Sequence, residues 1–317
     1  MNIESDRLVD IFDGGSGSTT FIAIGGMHGN EPAGVVAMER LIGLLNNAQS
    51  KGDAVRFPTL VAVKGNVTAL KKQTRQINED LNRTLTPQRV KDAFSHPDDG
   101  QVENREIRGL VSAVRSVIGH FRPSRVVVID LHTTTATGGC FAVTSPDSES
   151  ERIANTLGAP VVRGIVSDVK GMTLSYFTKD NLGVETTTVI FESGQHEAPA
   201  SIDAAIMALI NCIKSFGFRI PENVQQQYQG TLAVESNAPF QVVELVHTHY
   251  TAKDDGFKMK PGYKNFHPVK RGELLATDKS GDIRSSVDGM VLMPRYLQDG
   301  IEGFFLVQAA HPITDEL

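Results

Sequence analysis

Two residues near the N-terminus, His28 and Glu31, have the types and spacing to bind one cation. They lie in FIAIGGMHGNEPAG, where an apolar strand runs through two glycines into a loop. Pro32 disfavours a helical conformation at Glu31 and suits the first position of a helix, so Glu31 should lie at the helix start. An imidazole and a carboxylate at this spacing can converge on a metal ion. His-x-x-Glu alone, however, is also typical of two unrelated polar loop residues.

A third candidate ligand is His132, the last residue of RVVVIDLH (125–132). This run is almost continuously apolar, which is typical of a buried central strand in a parallel sheet. Ligands of open α/β sheets bind at the carboxyl ends of the strands, where His132 would meet His28 and Glu31. Two histidines and one glutamate with an open fourth position are a known pattern for catalytic zinc. A local backbone hydrogen bond to His132 is the alternative.

Further polar residues follow other predicted strands. Arg75, Asn82 and Arg83 lie in TRQINEDLNRTL (74–85), and arginine suits recognition of a carboxylate or polarisation of a carbonyl oxygen. Glu192 ends the apolar strand TTTVIFESG (186–194), where an apolar setting would raise its pKa and suit it to act as a general base. The alternatives are a solvated charged face for 74–85 and a simple ion pair for Glu192.

The elements that must position these residues alternate between strand and helix up to about residue 220. This alternation predicts an α/β fold with helices on both faces of a mostly parallel sheet. The apolar patterns predict strands at 20–26, 59–65, 125–132 and 186–194, and helices at 31–48, 102–121, 149–157 and 197–217.

The pattern changes after Pro221, where short apolar runs bounded by glycine replace helical periodicity. We therefore predict two domains, a catalytic α/β domain over 1–224 and a smaller all-β barrel or sandwich over 225–317. The polar segment 86–104 is predicted to be a surface loop.

Composition excludes several classes of protein. Net charge is −6 with 40% hydrophobic and 21% charged residues, which argues against a nucleic-acid-binding or anionic-membrane-binding surface. The two cysteines, Cys140 and Cys212, lie in apolar contexts and are predicted to be buried thiols. The N-terminus does not resemble a signal peptide, and no apolar run is long enough for a membrane span, so we expect a cytoplasmic protein. A homo-oligomer is compatible with the sequence.

Taken in order, GGMHGNE, TRQINEDLNR, DLHTTT and FESG resemble the succinylglutamate desuccinylase/aspartoacylase family. The match covers most of the first 200 residues. Its members are zinc enzymes with a zinc-carboxypeptidase-like α/β domain and an added β domain. The resemblance implies a zinc-dependent amidohydrolase that removes an acyl group from a small N-acyl amino acid or related amine by attack of a zinc-bound water.

The resemblance also implies residue roles and a cofactor of one Zn²⁺ per subunit. His28, Glu31 and His132 would bind zinc, and Glu192 would be the general base and later the proton donor. Arg75 would polarise the scissile carbonyl, while Asn82 and Arg83 would hold the substrate carboxylate. Asp80 would orient a ligand histidine.

One stretch departs from the family pattern. The aspartoacylase branch has an arginine shortly before the catalytic glutamate that reads a second substrate carboxylate. Here the corresponding MTLSYFTKDNLGVETTTVIFE offers Lys179 but no arginine, so specificity for an acyl-aspartate is in doubt. Tyr176 aligns weakly with a substrate-site tyrosine.

Two other functions remain as alternatives at this point. A metallocarboxypeptidase would use the same ligands, with Asn82 and Arg83 holding a peptide C-terminus. A metal- or ligand-binding protein without catalysis is less compatible with the sequence, because it would need neither Glu192 nor Arg75.

Overall fold

The structure is a computed structural model that describes residues 1–15, 18–51, 57–97, 99–232, 241–252, 254–296 and 301–310. Strands and helices alternate along its first two thirds. The strands are β1 (Leu8–Asp13), β2 (Thr19–Gly25), β3 (Thr59–Lys64), β4 (Arg125–Thr134), β5 (Phe141–Thr144), β6 (Val161–Arg163), β7 (Glu185–Gln195), β8 (Val242–Tyr250), β9 (Lys258–Met259), β10 (His267–Val269), β11 (Leu274–Asp278), β12 (Gly281–Arg284), β13 (Gly289–Leu292) and β14 (Glu302–Ala310). The α-helices are α1 (Ala33–Ser50), α2 (Val67–Lys72), α3 (Pro87–Ser95), α4 (Val102–Phe121), α5 (Ser148–Thr156), α6 (Ile165–Asp168), α7 (Thr173–Tyr176), α8 (Lys179–Leu182), α9 (Ala200–Ser215) and α10 (Glu222–Tyr228), and a 3-10 helix spans Leu81–Arg83.

In the described chain, one large sheet has the strand order β1-β3-β2-β4-β7-β5-β6-β8-β14-β13-β10, and a small one has the order β12-β11-β9. The centre of the large sheet is parallel, from β3 through β2 and β4 to β7. Its far end, from β8 through β14 and β13 to β10, is antiparallel. This arrangement confirms the predicted α/β class with a smaller β region.

Alternate residues of the central strands supply two separate cores, because successive side chains of a strand point to opposite faces. Phe21 and Ala23 of β2 pack in the core that contains α1 and α9. Ile22 and Ile24 of the same strand pack in the core that contains α4. The near-continuous apolar runs in the sequence therefore reflect burial of both faces of the sheet.

The segment after Pro221 differs in detail from the expectation. Helix α10 crosses the predicted domain boundary at 224/225. Strand β8 then joins the large sheet by pairing in parallel with β6, with Val242 opposite Val161. The division into two domains stays a prediction.

The prediction of a surface loop over 86–104 is wrong, because α3 occupies its first half. The side chain of Thr86 accepts a hydrogen bond from the Arg89 amide, and Pro87 occupies the first turn. A threonine N-cap followed by proline is a local helix-start signal, so the sequence did contain the evidence. Both cysteines are buried, as predicted. No helix among the described residues is both long and apolar enough to cross a membrane.

A buried ion pair between Arg7 and Glu106 connects the N-terminal segment to helix α4. The guanidinium of Arg7 donates to Glu106 Oε2 at 2.7 Å and to the Lys64 carbonyl at 2.9 Å. Glu106 in turn accepts from the Val67 amide at 3.0 Å, at the start of α2. The Arg7 side chain is only 2% exposed and that of Glu106 is 4% exposed.

Replacing Arg7 with methionine should lower the free energy of unfolding by about 3–5 kcal/mol, because the carboxylate of Glu106 would stay buried without its counter-ion. Urea unfolding of the two proteins measures the difference. The matched control is Arg125→Met, whose ion pair with Glu149 is 43% and 37% exposed and should contribute less than about 1 kcal/mol. Equal effects of the two substitutions would contradict a stabilising role of the buried ion pair between Arg7 and Glu106.

Candidate active site

His28 and Glu31 lie in the turn between β2 and α1, at the carboxyl edge of the sheet. The Glu31 amide donates to the His28 carbonyl at 3.2 Å, and α1 begins directly after Pro32. This turn packs so tightly on α2 that a Cβ atom at Gly29 would lie 2.0 Å from the Ala69 backbone. Glycine at position 29 therefore permits the close approach that places His28 beside the loop following α2.

His132 lies on the neighbouring strand β4 and faces the same point. Its Nδ1 atom is 3.1 Å from Glu31 Oε2, and His28 Nδ1 is 2.8 Å from Glu31 Oε1. One donor atom from each of His28, Glu31 and His132 lies within 4.8 Å of the others, and all three residues are buried. The structure thus brings together the three residues that the sequence predicted as metal ligands.

The opposite nitrogen of each imidazole contacts an aspartate. His28 Nε2 lies 3.1 Å from Asp80 Oδ1, and His132 Nε2 lies 2.9 Å from Asp130 Oδ2. A carboxylate on one ring nitrogen fixes the tautomer that leaves the other nitrogen as a lone-pair donor toward a metal ion. Asp80 has the position expected of it, whereas sequence analysis missed Asp130. The period of two along β4 could have revealed it, since Asp130 and His132 point to the same face.

Neighbouring charges shift the pKa values of Glu31, Asp80 and His132. Burial favours the neutral form of Glu31, but His28 and His132 outweigh burial and hold its pKa well below the ordinary value. Burial likewise opposes ionisation of Asp80, yet His28 and Arg75 keep its pKa well below the usual range. Burial lowers the pKa of His132, but the carboxylates of Asp130 and Glu31 outweigh burial and hold this pKa well above its ordinary value.

The donor set fits a divalent metal ion. Two imidazoles and one carboxylate are ligands that zinc accepts in three-residue catalytic sites. Two further carboxylates, Asp80 and Asp130, stand directly behind the imidazoles, so the described site is rich in negative charge. A dication would offset that charge.

Replacing Asp130 with asparagine should weaken metal affinity by about 10- to 100-fold, because His132 loses the carboxylate that orients it. Competition with a chelator of known affinity measures the change. The control is Thr173→Val, which removes only the hydroxyl that donates to Asp130 Oδ2 at 2.7 Å and should change affinity by less than about threefold. Unaltered affinity in Asp130→Asn would show that this carboxylate does not support the ligand.

Glu192 faces the group from β7, the strand beside β4, where it is the register partner of His132. Its side chain is buried, and Oε2 has no hydrogen-bond partner among the described residues. Burial raises its pKa to about 8; His132 opposes this shift, and Glu31 adds to it. This carboxyl group can therefore exchange a proton near neutral pH.

The segment after α2 supplies the arginines. Arg75 donates to Asp80 Oδ2 at 2.6 Å, and its Nη1 atom lies 4.0 Å from Glu31 Oε1. Arg83 donates through Nε to Glu302 Oε1 at 2.9 Å. The side chain of Asn82 accepts from the Thr173 amide at 3.1 Å and lies 3.5 Å from His132 Nε2. Glu302 lies on β14, so its pairing with Arg83 could not be read from local sequence.

One cavity is lined by most of the predicted site residues. It is lined by all three candidate ligands together with Glu192, Arg75, Asn82 and Arg83, and residues of the C-terminal β region complete its rim. Arg295, one of these rim residues, donates to Thr251 Oγ1 at 2.7 Å and lies over the Phe257 ring at 5.2 Å. His196, which sequence analysis left without a role, also lines the cavity and contacts Thr133 Oγ1 at 2.6 Å.

Tyr176 is not among the residues that line this cavity. Its hydroxyl accepts a hydrogen bond from Arg115 Nη2 at 3.1 Å, and its ring packs in the core that contains α4. The structure therefore does not bring Tyr176 into the cavity with the other predicted site residues, and its role in substrate binding stays a prediction. The physical reason for its position is that α7 directs the side chain into the interior against α4.

A buried His–Glu–His group at the carboxyl edge of a mostly parallel sheet, faced by a glutamate and an arginine, defines an α/β protein with a candidate metal site. The model of the succinylglutamate desuccinylase/aspartoacylase catalytic domain matches residues 17–210. The chain therefore belongs to the succinylglutamate desuccinylase/aspartoacylase family, whose activity is that of a deacylase.

Solved structures share the fold at low sequence identity. A succinylglutamate desuccinylase from Vibrio parahaemolyticus is 16% identical, with a TM-score of 0.64 over 99% of this chain and 92% of that one. The ectoine utilization protein from Ruegeria pomeroyi, in a product-bound structure, is 18% identical, with a TM-score of 0.61 over 94% and 87%. Murine aminoacylase 3 is 15% identical, with a TM-score of 0.58 over 92% and 96%. No curated protein sequence matches the chain.

Proposed function

We propose that this protein is a zinc-dependent amidohydrolase that removes the acyl group from a small N-acyl amino acid or a related amine. The observation that carries the proposal is the convergence of His28, Glu31 and His132 within 4.8 Å, with the carboxyl group of Glu192 on the adjacent strand. Family membership supports the same class of reaction.

His28, Glu31 and His132 would hold one zinc ion, with Asp80 and Asp130 orienting the two imidazoles. When bound, zinc supplies a Lewis acid that makes water a nucleophile near neutral pH and polarises a carbonyl oxygen. The remaining requirements of the reaction fall to the protein side chains.

Glu192 would act first as the base and then as the acid. Its carboxylate takes a proton from the attacking water, whose oxygen forms a bond to the carbonyl carbon of the amide. The protonated Glu192 then delivers that proton to the amide nitrogen as the C–N bond breaks, so that the products are a carboxylic acid and a free amine. A raised pKa suits this double role, because the group must both accept and release a proton.

The arginines would hold the substrate in place. Arg75 is positioned to stabilise negative charge on the carbonyl oxygen, since Asp80 fixes its guanidinium beside Glu31. Asn82 and Arg83 would bind the carboxylate of the substrate. Arg83 donates through Nε to Glu302 and through Nη1 to the Asn82 carbonyl at 2.9 Å. A guanidinium has five N–H donors, so donors remain for a substrate oxygen.

The alternative of a carboxypeptidase uses the same residues but needs room for a peptide chain. Met293, Arg295, Glu302 and Phe305 from the C-terminal β region all border the cavity, and this enclosure favours a small substrate. A protein that only binds a metal would not need Glu192 and Arg75 beside it.

The test is a panel of N-acetyl, N-succinyl and N-formyl amino acids together with short peptides, with release of free amine measured on the zinc-loaded protein. Release of amine from the acylated amino acids is expected. Hydrolysis restricted to the C-terminal residue of peptides would replace the proposal with the carboxypeptidase. Failure to hydrolyse any of these amides would overturn it.

We expect activity to fall as the pH drops through the pKa of Glu192, because only the ionised carboxylate can take the proton from water. Burial raises that pKa from 4.5 to about 8, and the positive charge of a bound zinc ion would lower it again. The acidic limb of kcat/KM against pH should therefore lie between these two values. Zinc content measured at each pH is the control, since protonation of histidine ligands also releases metal. A limb at or below the ordinary glutamate value would contradict the assignment.

A further inference from the structure

One side of the catalytic cavity is a continuous apolar wall. All its members belong to a single hydrophobic cluster, and those other than the half-buried methionine at the rim are at most 4% exposed. The wall consists of Val143, Ile165, Met172, Ile190, Met293 and Phe305. These side chains border the cavity while the rest of their surface is packed in the interior, so a ligand bound in the cavity would contact them.

The wall begins directly beside the proposed base. Ile190 precedes Glu192 by two residues on β7, so both side chains point to the same face of the sheet. Val143 on β5 is the register partner of Ile190 and extends the surface sideways. A substrate with its scissile bond at Glu192 would therefore place a neighbouring group against these residues.

The three arginines that line the cavity in the described chain are each held by a partner outside this wall. Arg295, which lies two residues after Met293, donates to Thr251 Oγ1 at 2.7 Å and lies over the Phe257 ring at 5.2 Å. Arg75 and Arg83 come from the segment after α2 and are paired with Asp80 and Glu302, at 2.6 Å and 2.9 Å. Arg83 and Glu302 also border a neighbouring cleft, which places them at the rim. A second substrate carboxylate placed against the wall would lose its hydration without gaining a charged partner, which is strongly unfavourable.

Lys179, the one lysine between α7 and β7, lies at the surface. Its amino group pairs with Glu185, its side chain is 64% exposed, and it does not line the cavity. Lys179 therefore brings no positive charge to the apolar wall.

We propose that the substrate is a monocarboxylate that carries an apolar group, and that this group packs against the wall. The inference rests on the proposed function and narrows it. It predicts acylated apolar amino acids, or amino acids with an apolar acyl group, in place of acylated aspartate or glutamate. Arg83 would bind the single carboxylate, and the apolar group would pack against the wall.

Two arms of one experiment identify which end of the substrate is apolar. The first compares N-acetyl-leucine and N-acetyl-methionine with N-acetyl-aspartate and N-acetyl-glutamate. The second compares N-acetyl-, N-hexanoyl- and N-succinyl-alanine. In at least one arm, kcat/KM for the apolar compound should exceed that for the dicarboxylate by about tenfold or more.

The outcomes separate this inference from the function on which it rests. Preference for the dicarboxylates in both arms would overturn the inference and leave the deacylase intact. Absence of hydrolysis in both arms would overturn the deacylase and the inference with it. Titration calorimetry of the same compounds with Glu192→Gln gives the ranking of affinities without turnover and should show the same order.

A pair of substitutions tests the wall itself. Met293→Gln places an amide of nearly the same size in the cavity and should reduce the preference for the apolar compound by about tenfold, whereas Met293→Leu should preserve the ranking. Val246→Gln makes the same kind of change at a 40% exposed residue of β8 and should leave the ratio unchanged. Thermal unfolding confirms that each variant is folded. An unaltered ratio in Met293→Gln would count against the wall as the recognition element.

Discussion

We expect that replacing Glu192 with glutamine will lower kcat by about 10²- to 10⁴-fold and leave the zinc content unchanged. Glutamine has almost the same shape but cannot take a proton from water. Glu192 is not one of the three converging donor groups, and its Oε2 atom has no hydrogen-bond partner among the described residues. The substitution should therefore remove proton transfer and leave the three candidate metal ligands in place.

The same substitution should cost little stability. Burial already penalises the ionised form of Glu192 and raises its pKa to about 8, so a neutral amide suits the site. Single-turnover kinetics and metal analysis on the same preparation separate the chemical step from metal loss.

The matched control for Glu192→Gln is Glu185→Gln, the same chemical change at the start of the same strand. Glu185 is 57% exposed and pairs with Lys179 at the surface. It should retain normal activity, because it touches neither the cavity nor the ligands. Near-normal turnover by Glu192→Gln would rule out its role as the base. Loss of zinc from that variant would instead make Glu192 a ligand.

Local patterns in the sequence predicted the parts of this molecule that depend on local chemistry. The run that ends in His132 is buried on both faces, so its apolar character reported a central strand correctly. His28 and Glu31 follow a strand and precede a proline-started helix, and the parallel arrangement of β2 and β4 brings them to His132. Strand order in a parallel sheet thus brings two separate motifs together into one group of three candidate ligands.

Contacts between distant segments were beyond the reach of local patterns. Glu302 pairs with Arg83, which lies 219 residues earlier in the sequence. The sequence around Glu302 resembles that of any polar residue at the end of a β-strand. Asp130 was overlooked although it lies only two residues from His132, because an aspartate within an apolar run was interpreted as part of the strand. Tyr176 was assigned through a weak alignment, which carries no information about its packing against α4.

Substituting alanine for His28 or for His132 should reduce bound zinc from about one ion per chain to below about a tenth after dialysis. Each change removes one of three donor groups and leaves one imidazole and the carboxylate of Glu31, which hold zinc far more weakly. Atomic absorption on dialysed protein measures the content. Activity should fall in parallel, because the Lewis acid is lost.

The matched control for the ligand variants is His196→Ala, a third imidazole in the same cavity. Its ring contacts Thr133 Oγ1 at 2.6 Å and is not part of the converging group, so the variant should keep its zinc. Circular dichroism distinguishes loss of a ligand from loss of the fold. Wild-type zinc content in both His28→Ala and His132→Ala would mean that the metal binds elsewhere. If zinc is lost from His28→Ala and His132→Ala but kept in His196→Ala, zinc binding depends on the donor group at the sheet edge. A general affinity of the histidines in the cavity would then not explain it.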